Sequence, residues 1–263
     1  MTLVNSNAGR VTRNGYIVRV TLFALLVNLL IIPAYAFSFA VLGDSCDGKQ
    51  VFNDIVDKIN RDKELSFVVN LGDFVSTGQP AQYNEFKKTV SRLKIPVYNA
   101  LGNHDGIYGG WKIFRKMFGP SYYSFDFDNS HFIVLDNAFK ESFDRDQFEW
   151  LKLDLTLSRA EHKFVFMHKP VFDPSAIYKD YIMSGRAVTE ELMGLFQKYK
   201  VDYVFAGHIH GYAKSKRDGV TYIISGGAGS PLRLPPEFGG FYHYVKIEVD
   251  GSKVNDQIIR PYE

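Results

Sequence analysis

Five short polar motifs punctuate this chain, and each sits where an apolar run ends. They are Gly43-Asp44-Ser45-Cys46, Gly72-Asp73, Gly102-Asn103-His104-Asp105, Met167-His168 and Gly207-His208-Ile209-His210. The runs before them are 39–42, 67–71, 97–101, 164–166 and 203–206. Short apolar runs of this kind read as buried strands. Helical patterns lie between them, so the chain alternates strand and helix, as in an α/β fold. In open α/β folds the carboxyl ends of the strands form the ligand crevice. The pattern therefore gathers Asp44, Asp73, Asn103, His104, His168, His208 and His210 on one rim. Carboxylate, amide and imidazole together suit one or two hard-to-borderline divalent metals. A metal pair is itself a mechanism for hydrolysing phosphate esters.

The rest of the chain supports this frame. Residues 50–60 place Val51, Ile55, Val56 and Ile59 at helical spacing. Residues 81–93 predict a second amphipathic helix, with Pro80 just inside its start. Residues 144–157 and 188–199 predict two more. Residues 122–127 and 131–135 flank Asp128-Asn129-Ser130, a turn of hairpin type. Residues 220–224, 242–249 and 253–259 finish the chain as antiparallel strands, with Asp250-Gly251 turning the last two. The basic run Lys214-Ser215-Lys216-Arg217 reads as a solvated turn between strands. Two longer loops follow motif strands, 172–186 and 226–240. Loops of this length in a compact domain are often functional. Arg233, Arg186, Tyr178 and Tyr181 on them are candidate substrate contacts.

Residues 1–36 read as a signal peptide. Arg10, Arg13 and Arg19 form a basic start, residues 20–32 an apolar stretch, and Ala34-Tyr35-Ala36 a small-residue cleavage site. The stretch is shorter than the roughly 20 residues needed to span a bilayer. Cleavage after Ala36 would leave a secreted or periplasmic domain of residues 37–263 with no stable membrane anchor. That domain holds 28 Lys and Arg against 29 Asp and Glu, a net charge of −1. Near-neutral charge without a long basic block gives no footing for nucleic acid. Cys46 is the single cysteine, so no intrachain disulfide forms. Nothing in the sequence sets an oligomeric state.

The series Gly-Asp, Gly-Asp, Gly-Asn-His-Asp, His and Gly-His-x-His resembles the calcineurin-like metallophosphoesterases, over nearly all of residues 37–263. The flanking segments 122–126, 131–136, 147–151 and 226–229 resemble the purple-acid-phosphatase-like branch. The resemblance implies a four-layer αββα sandwich, two mixed β-sheets flanked by helices, with two divalent or trivalent ions (Fe, Mn or Zn) at the strand ends. It implies that Asp73 bridges both ions, that Asp44 and His210 bind the first, and that Asn103, His168 and His208 bind the second. It further implies that His104 serves the leaving group and that Asp105 orients its imidazole.

At the first metal the chain departs from the family pattern. Many relatives carry Asp-x-His there, where this chain has Asp44-Ser45-Cys46. Purple acid phosphatases place a Tyr ligand three residues after the bridging Asp, where this chain has Ser76. Cys46 is therefore a further candidate ligand, as a thiolate. The expected function is metal-dependent hydrolysis of a small-molecule phosphoester by direct attack of water. Two alternatives stand beside it, a one-metal phosphoesterase and a non-catalytic relative that binds a phosphorylated ligand. His131, His162 and His243 lie in or beside strand-like runs and read as structural.

Overall fold

The computed structural model describes residues 36–140 and 143–263. The signal-peptide reading therefore lies outside the described residues, save for Ala36. No helix among the described residues is long and apolar enough to cross a membrane.

The first strand, β1 (Phe37–Leu42), is buried along its whole length. Successive side chains of a strand point to opposite faces, so Phe39 and Val41 face one layer while Ala40 and Leu42 face another. The helix α1 (Lys49–Arg61) then leads to β2 (Leu65–Asn70), α2 (Pro80–Val90) and β3 (Val97–Asn99). Pro80 opens α2, where its missing N–H has no helical partner to lose. A short turn of helix, α3 (Asn103–Gly106), and α4 (Gly110–Phe118) precede the hairpin β4 (Tyr123–Phe127) and β5 (Ser130–Val134). Next come α5 (Arg145–Leu157), β6 (His162–Met167), α6 (Arg186–Lys198) and β7 (Tyr203–Ala206). Asp144 caps α5 by accepting from the Gln147 N–H at 2.9 Å. Four strands close the chain: β8 (Tyr212–Arg217), β9 (Val220–Ser225), β10 (Tyr244–Asp250) and β11 (Lys253–Ile259).

These strands form two mixed sheets, ordered β11-β10-β1-β2-β3 and β4-β5-β6-β7-β9-β8. Within the first, β1, β2 and β3 run parallel. Within the second, β5, β6, β7 and β9 run parallel, and β4 and β8 are antiparallel edges. Phe39, Phe67, Phe132 and Phe164 fill the space between the sheets, with ring centroids 5.1–5.2 Å apart. Truncating one such ring to Ala costs about 3–5 kcal/mol. On the outer face of the first sheet, Phe52, Ile55 and Val56 of α1 pack with Tyr83, Phe86 and Phe114. On the outer face of the second, Phe148, Leu151 and Leu155 of α5 pack with Leu192, Leu195 and Phe196 of α6. Helix, sheet, sheet and helix thus make the four layers of an α/β sandwich.

Two elements differ from the sequence expectation. The basic run 214–217 is not a turn: it belongs to β8 and pairs antiparallel with β9. An edge strand keeps its outward residues in water, and edge lysines guard against further pairing. The helix α4 was hidden by Gly109 and Gly110 at its start.

His131 shows how the edge hairpin is tied down. Its Nδ1 lies 2.6 Å from Asp126 on β4, and its Nε2 lies 2.7 Å from Asp154 on α5. Burial works against the charged ring, but hydrogen bonds to both carboxylates prevail and raise its pKa above the ordinary value. A raised folded pKa gives stability that is complete below the unfolded value of about 6.5 and is lost as pH rises through the folded one. His131→Asn is therefore expected to cost about 1–3 kcal/mol near pH 6 and less at pH 9, read by urea unfolding at both pH values. An equal loss at both would show that the ring's charge is not involved.

Candidate metal centre

Asp44, Asp73, Asn103, His168 and His208 all lie just past the carboxyl ends of β1, β2, β3, β6 and β7. The turns that carry them are unusual. Asp44, Asp73 and His208 have φ of 61°, 54° and 67°, the left-handed region that side chains other than Gly seldom occupy. Such conformations cost about 1–3 kcal/mol each and persist at functional sites where the surroundings over-determine them. The glycines beside them make room. A Cβ on Gly72 would lie 2.5 Å from the Gly102 N, and one on Gly207 would lie 2.4 Å from Asp44 Oδ2.

The donor atoms converge on one imidazole nitrogen. His168 donates from Nδ1 to the Leu71 carbonyl at 2.9 Å, so in the neutral ring Nε2 carries the lone pair. Around that Nε2 lie Asn103 Oδ1 at 3.0 Å, His208 Nδ1 at 3.1 Å and Asp73 Oδ2 at 3.2 Å. Among the described residues, Asp73, His168 and His208 form the one group of His, Cys, Asp or Glu whose donor atoms all lie within 4.8 Å of one another. Asn103, an amide, completes that set at the distance just given. With both rings neutral and their lone pairs turned inward, these four atoms are an acceptor set that a cation would hold together.

Beside this set stand Asp44 and His210. Asp44 is fully buried, accepts the His208 backbone N–H at 2.9 and 3.1 Å, and has Oδ1 3.6 Å from His210 Nε2. His210 donates from Nδ1 to the Pro231 carbonyl at 2.8 Å, which turns Nε2 toward Asp44. Asp73 Oδ1 accepts the His104 backbone N–H at 2.8 Å.

The electrostatics of the donor set suit a cation. Burial pushes the Asp44 carboxyl up to about 8, with the neighbouring Asp73 adding to the effect. Burial pushes Asp73 the same way, but the His168 charge beside it prevails and holds it down at about 2. In return Asp73 holds His168 up at about 9 against its own burial. Burial, and then the charge on His168, press His208 down to about 2. One imidazolium thus stands in for positive charge beside three buried carboxylates, Asp44, Asp73 and Asp105. One or two metal ions fit these residues by charge and by donor type.

Three sequence expectations change here. Asp105 does not orient the His104 imidazole. Its carboxylate accepts from the backbone N–H groups of Asp73 (2.8 Å), Phe74 (2.9 Å), Val75 (3.0 Å) and Gly102 (2.8 Å). It is instead the Ser76 carbonyl that holds His104, accepting from Nδ1 at 2.9 Å. Cys46 turns its Sγ to Ser230 Oγ at 3.2 Å and lies outside the group whose donor atoms converge. Arg186 opens α6 and pairs with Glu190 at 2.8 Å, its side chain 91% exposed. An i,i+4 pair of that kind is a helix-surface feature. Arg233 and Tyr178, by contrast, are at the rim. The Arg233 N–H donates to the His210 carbonyl at 2.9 Å, and the Tyr178 hydroxyl to the Arg233 carbonyl at 2.8 Å.

Two mixed sheets whose parallel strands deliver carboxylate, amide and imidazole to one rim define a metallophosphoesterase framework. The chain belongs to the calcineurin-like phosphoesterase family, whose model matches residues 37–212. It is 31% identical over 173 residues to Fe(3+)-Zn(2+) purple acid phosphatase 12 of Arabidopsis thaliana, covering 64% of this chain and 31% of that one. It is 33% identical over 117 residues to a purple acid phosphatase of Glycine max, covering 43% and 25%. With a 3',5'-cyclic-nucleotide phosphodiesterase of Nostoc it shares 25% identity over 72% of this chain and 74% of that one. The matched stretch thus spans a quarter to a third of the two plant relatives. Among solved structures, the yellow lupin purple acid phosphatase superimposes with a TM-score of 0.73 at 15% identity, over 88% of this chain and 52% of that one. A dimetal phosphatase from Danio rerio gives 0.69 at 16% identity, over 87% and 97%. At these identities the structural likeness shows the fold.

Proposed function

We propose that this chain is an exported, metal-dependent phosphoester hydrolase with a binuclear centre, in which water attacks phosphorus directly. The observation that carries the reading is the convergence of Asp73, Asn103 and His208 on His168 Nε2, all within 3.2 Å. These four residues would hold one ion, and Asp44 and His210 with Asp73 the other. When bound, such ions polarise the phosphoryl oxygens and lower the pKa of water. The Fe(3+)-Zn(2+) purple acid phosphatase relative supports iron and zinc as their identity.

The chain's own residues define the remaining roles. His104 is pinned through Nδ1–H to the Ser76 carbonyl, which leaves Nε2 free, in the imidazolium form, to give its proton to the leaving-group oxygen, the ring ending neutral. Of the nucleophile types nearby, the Cys46 thiol is engaged with Ser230 and the Ser76 hydroxyl with Asp47, and the Ser45 hydroxyl is buried. That favours direct water attack over a covalent phosphoenzyme. Export rests on the Arg10–Ala36 leader, and amino-terminal sequencing of the extracytoplasmic protein is expected to begin at Phe37.

The test is metal content by mass spectrometry on the purified protein, paired with hydrolysis of a phosphomonoester and a phosphodiester. Two metals per chain with turnover support the reading. One metal with turnover would reduce it to a one-metal enzyme, and bound metal without turnover would move it to a phospho-ligand-binding relative. His104→Ala adds a sharper check. Turnover is expected to fall by about 10²–10⁴-fold for alkyl esters and far less for nitrophenyl esters, whose leaving groups need no proton. An equal loss across leaving groups would remove His104 from the acid role.

A further inference from the structure

The Tyr178–Tyr181–Arg233 cluster ties the two rim loops together beside the metal-ligand candidates. Tyr178 and Tyr181 meet edge to face at 5.4 Å and pack on Ile209, Ala213, Ile224 and Leu234. The Tyr181 ring in turn lies 5.8 Å from the His208 ring. The Arg233 guanidinium sits 5.0 Å from the Tyr181 ring centroid, with Nη1 donating to the Tyr181 hydroxyl at 3.3 Å. Its main chain is fixed at both ends, N–H on the His210 carbonyl and C=O under the Tyr178 hydroxyl. The exposed guanidinium is thus held against Tyr181, near enough for its charge to act on His210.

Arg92, Arg145, Arg186 and Arg260 each pair with a carboxylate, whereas Arg61, Arg115, Arg159 and Arg217 make no such pair among the described residues, so what sets Arg233 apart is its place on Tyr181. Among the described residues no carboxylate ion pair engages Arg233. Of its five N–H donors, one is directed at the Tyr181 hydroxyl. A planar fork with donors to spare matches the paired oxygens of a phosphoryl group. Stacking on Tyr181 reduces the entropy such a side chain loses when it grips a ligand.

We infer that Arg233 is the residue that selects phosphomonoesters over phosphodiesters, by gripping the outward oxygens of a dianionic phosphoryl group. The inference rests on the hydrolase reading above. A monoester near neutral pH carries about 1.5–2 negative charges, and a diester carries one. A diester also has a substituent where the monoester presents a bare oxygen. A fixed cation at the mouth of the site thus stabilises the monoester more, while Tyr178 and Tyr181 hold it in place.

The experiment compares 4-nitrophenyl phosphate with bis(4-nitrophenyl) phosphate and 3',5'-cyclic AMP on the metal-loaded protein. Inorganic phosphate is titrated in parallel by calorimetry. The wild type is expected to favour the monoester. Arg233→Ala is expected to raise KM for the monoester, and Kd for phosphate, by about 10–100-fold, and diester KM by at most about threefold. Arg233→Lys should recover part of the loss, because a point charge remains without the fork. Tyr181→Phe should raise monoester KM by a smaller factor with kcat retained, as a positioning residue would. Equal losses for both ester classes, unchanged phosphate binding in Arg233→Ala, or a wild-type preference for the diesters would overturn the inference. If the wild type hydrolyses no ester, the hydrolase reading fails. Phosphate affinity then still decides whether Arg233 forms an anion subsite.

Discussion

Asp73→Asn is expected to lower kcat/KM by on the order of 10³-fold or more, equivalent to about 4 kcal/mol of transition-state stabilisation. The carboxylate has two separate tasks. Oδ1 accepts the His104 N–H at 2.8 Å, and Oδ2 stands 3.2 Å from His168 Nε2 in the converging donor set. An amide keeps the shape but has one acceptor where the carboxylate has two. Either its NH₂ group meets the His104 N–H, donor against donor, or it meets the donor set where a cation belongs. The negative charge in the middle of the donor set is lost as well. Metal binding to the folded state stabilises it by RT ln(1 + [L]/Kd), so a thousandfold weaker Kd forfeits about 4 kcal/mol at concentrations that saturate the wild type. The rise in Tm on adding zinc or manganese should therefore largely vanish. Metal analysis and thermal melts with and without metal read both effects. A variant that retained two ions and near-native turnover would sink the bridging role.

The placement of the polar motifs was legible because strand geometry is local. An apolar run of four to six residues followed by Gly-Asp or Gly-His reads as a buried strand and its exit turn. Asp44, Asp73, Asn103, His168 and His208 do lie at such exits. Which face of β1 lies between the sheets was not legible, because Phe39, Ala40, Val41 and Leu42 are all apolar and both faces are buried. What stayed hidden depends on tertiary partners. Lys214 and Lys216 look like turn residues until β9 supplies the ladder that makes β8 an edge strand. The direction of the Cys46 thiol is decided by Ser230, which lies 184 positions away. Arg186 and Arg233 are equivalent as loop cations in sequence. One opens a helix with Glu190 a turn later, and the other has its backbone bonded to His210. The Glu190 spacing was a readable signal for the first of these, because a carboxylate four residues on favours a helix-surface pair. The left-handed φ at Asp44, Asp73 and His208 had only a weak signal, since Asp and His visit that region more readily than most side chains but usually do not adopt it.

Asp105 carries the second large expected effect, and its role is the least visible in the sequence. Gly102-Asn103-His104-Asp105 places it next to His104, which invites an orienting role for the imidazole. The structure directs both of its oxygens to backbone instead. Oδ2 accepts from Asp73 N and Gly102 N, and Oδ1 from Phe74 N and Val75 N, all at 2.8–3.0 Å. One buried carboxylate thereby joins the turn that carries Asp73 to the turn that carries Asn103 and His104. It satisfies four N–H groups that strand exits leave without ladder partners. Asp105→Asn is isosteric, yet either orientation of the amide sets an NH₂ group against two N–H donors. Leaving buried donors unsatisfied costs about 1–3 kcal/mol, and in a domain of this size each kcal/mol lowers Tm by about 2–4 °C. Because the turn sets the position of Asp73, metal affinity should also fall by about 10–100-fold, as it does when outer partners of ligands are removed. Calorimetric melting of the metal-free protein reads the first effect, and metal titration the second. Loss of turnover with Tm and metal affinity both intact would return Asp105 to the chemistry at His104. Loss of all three together is what a brace between the two ligand turns must produce.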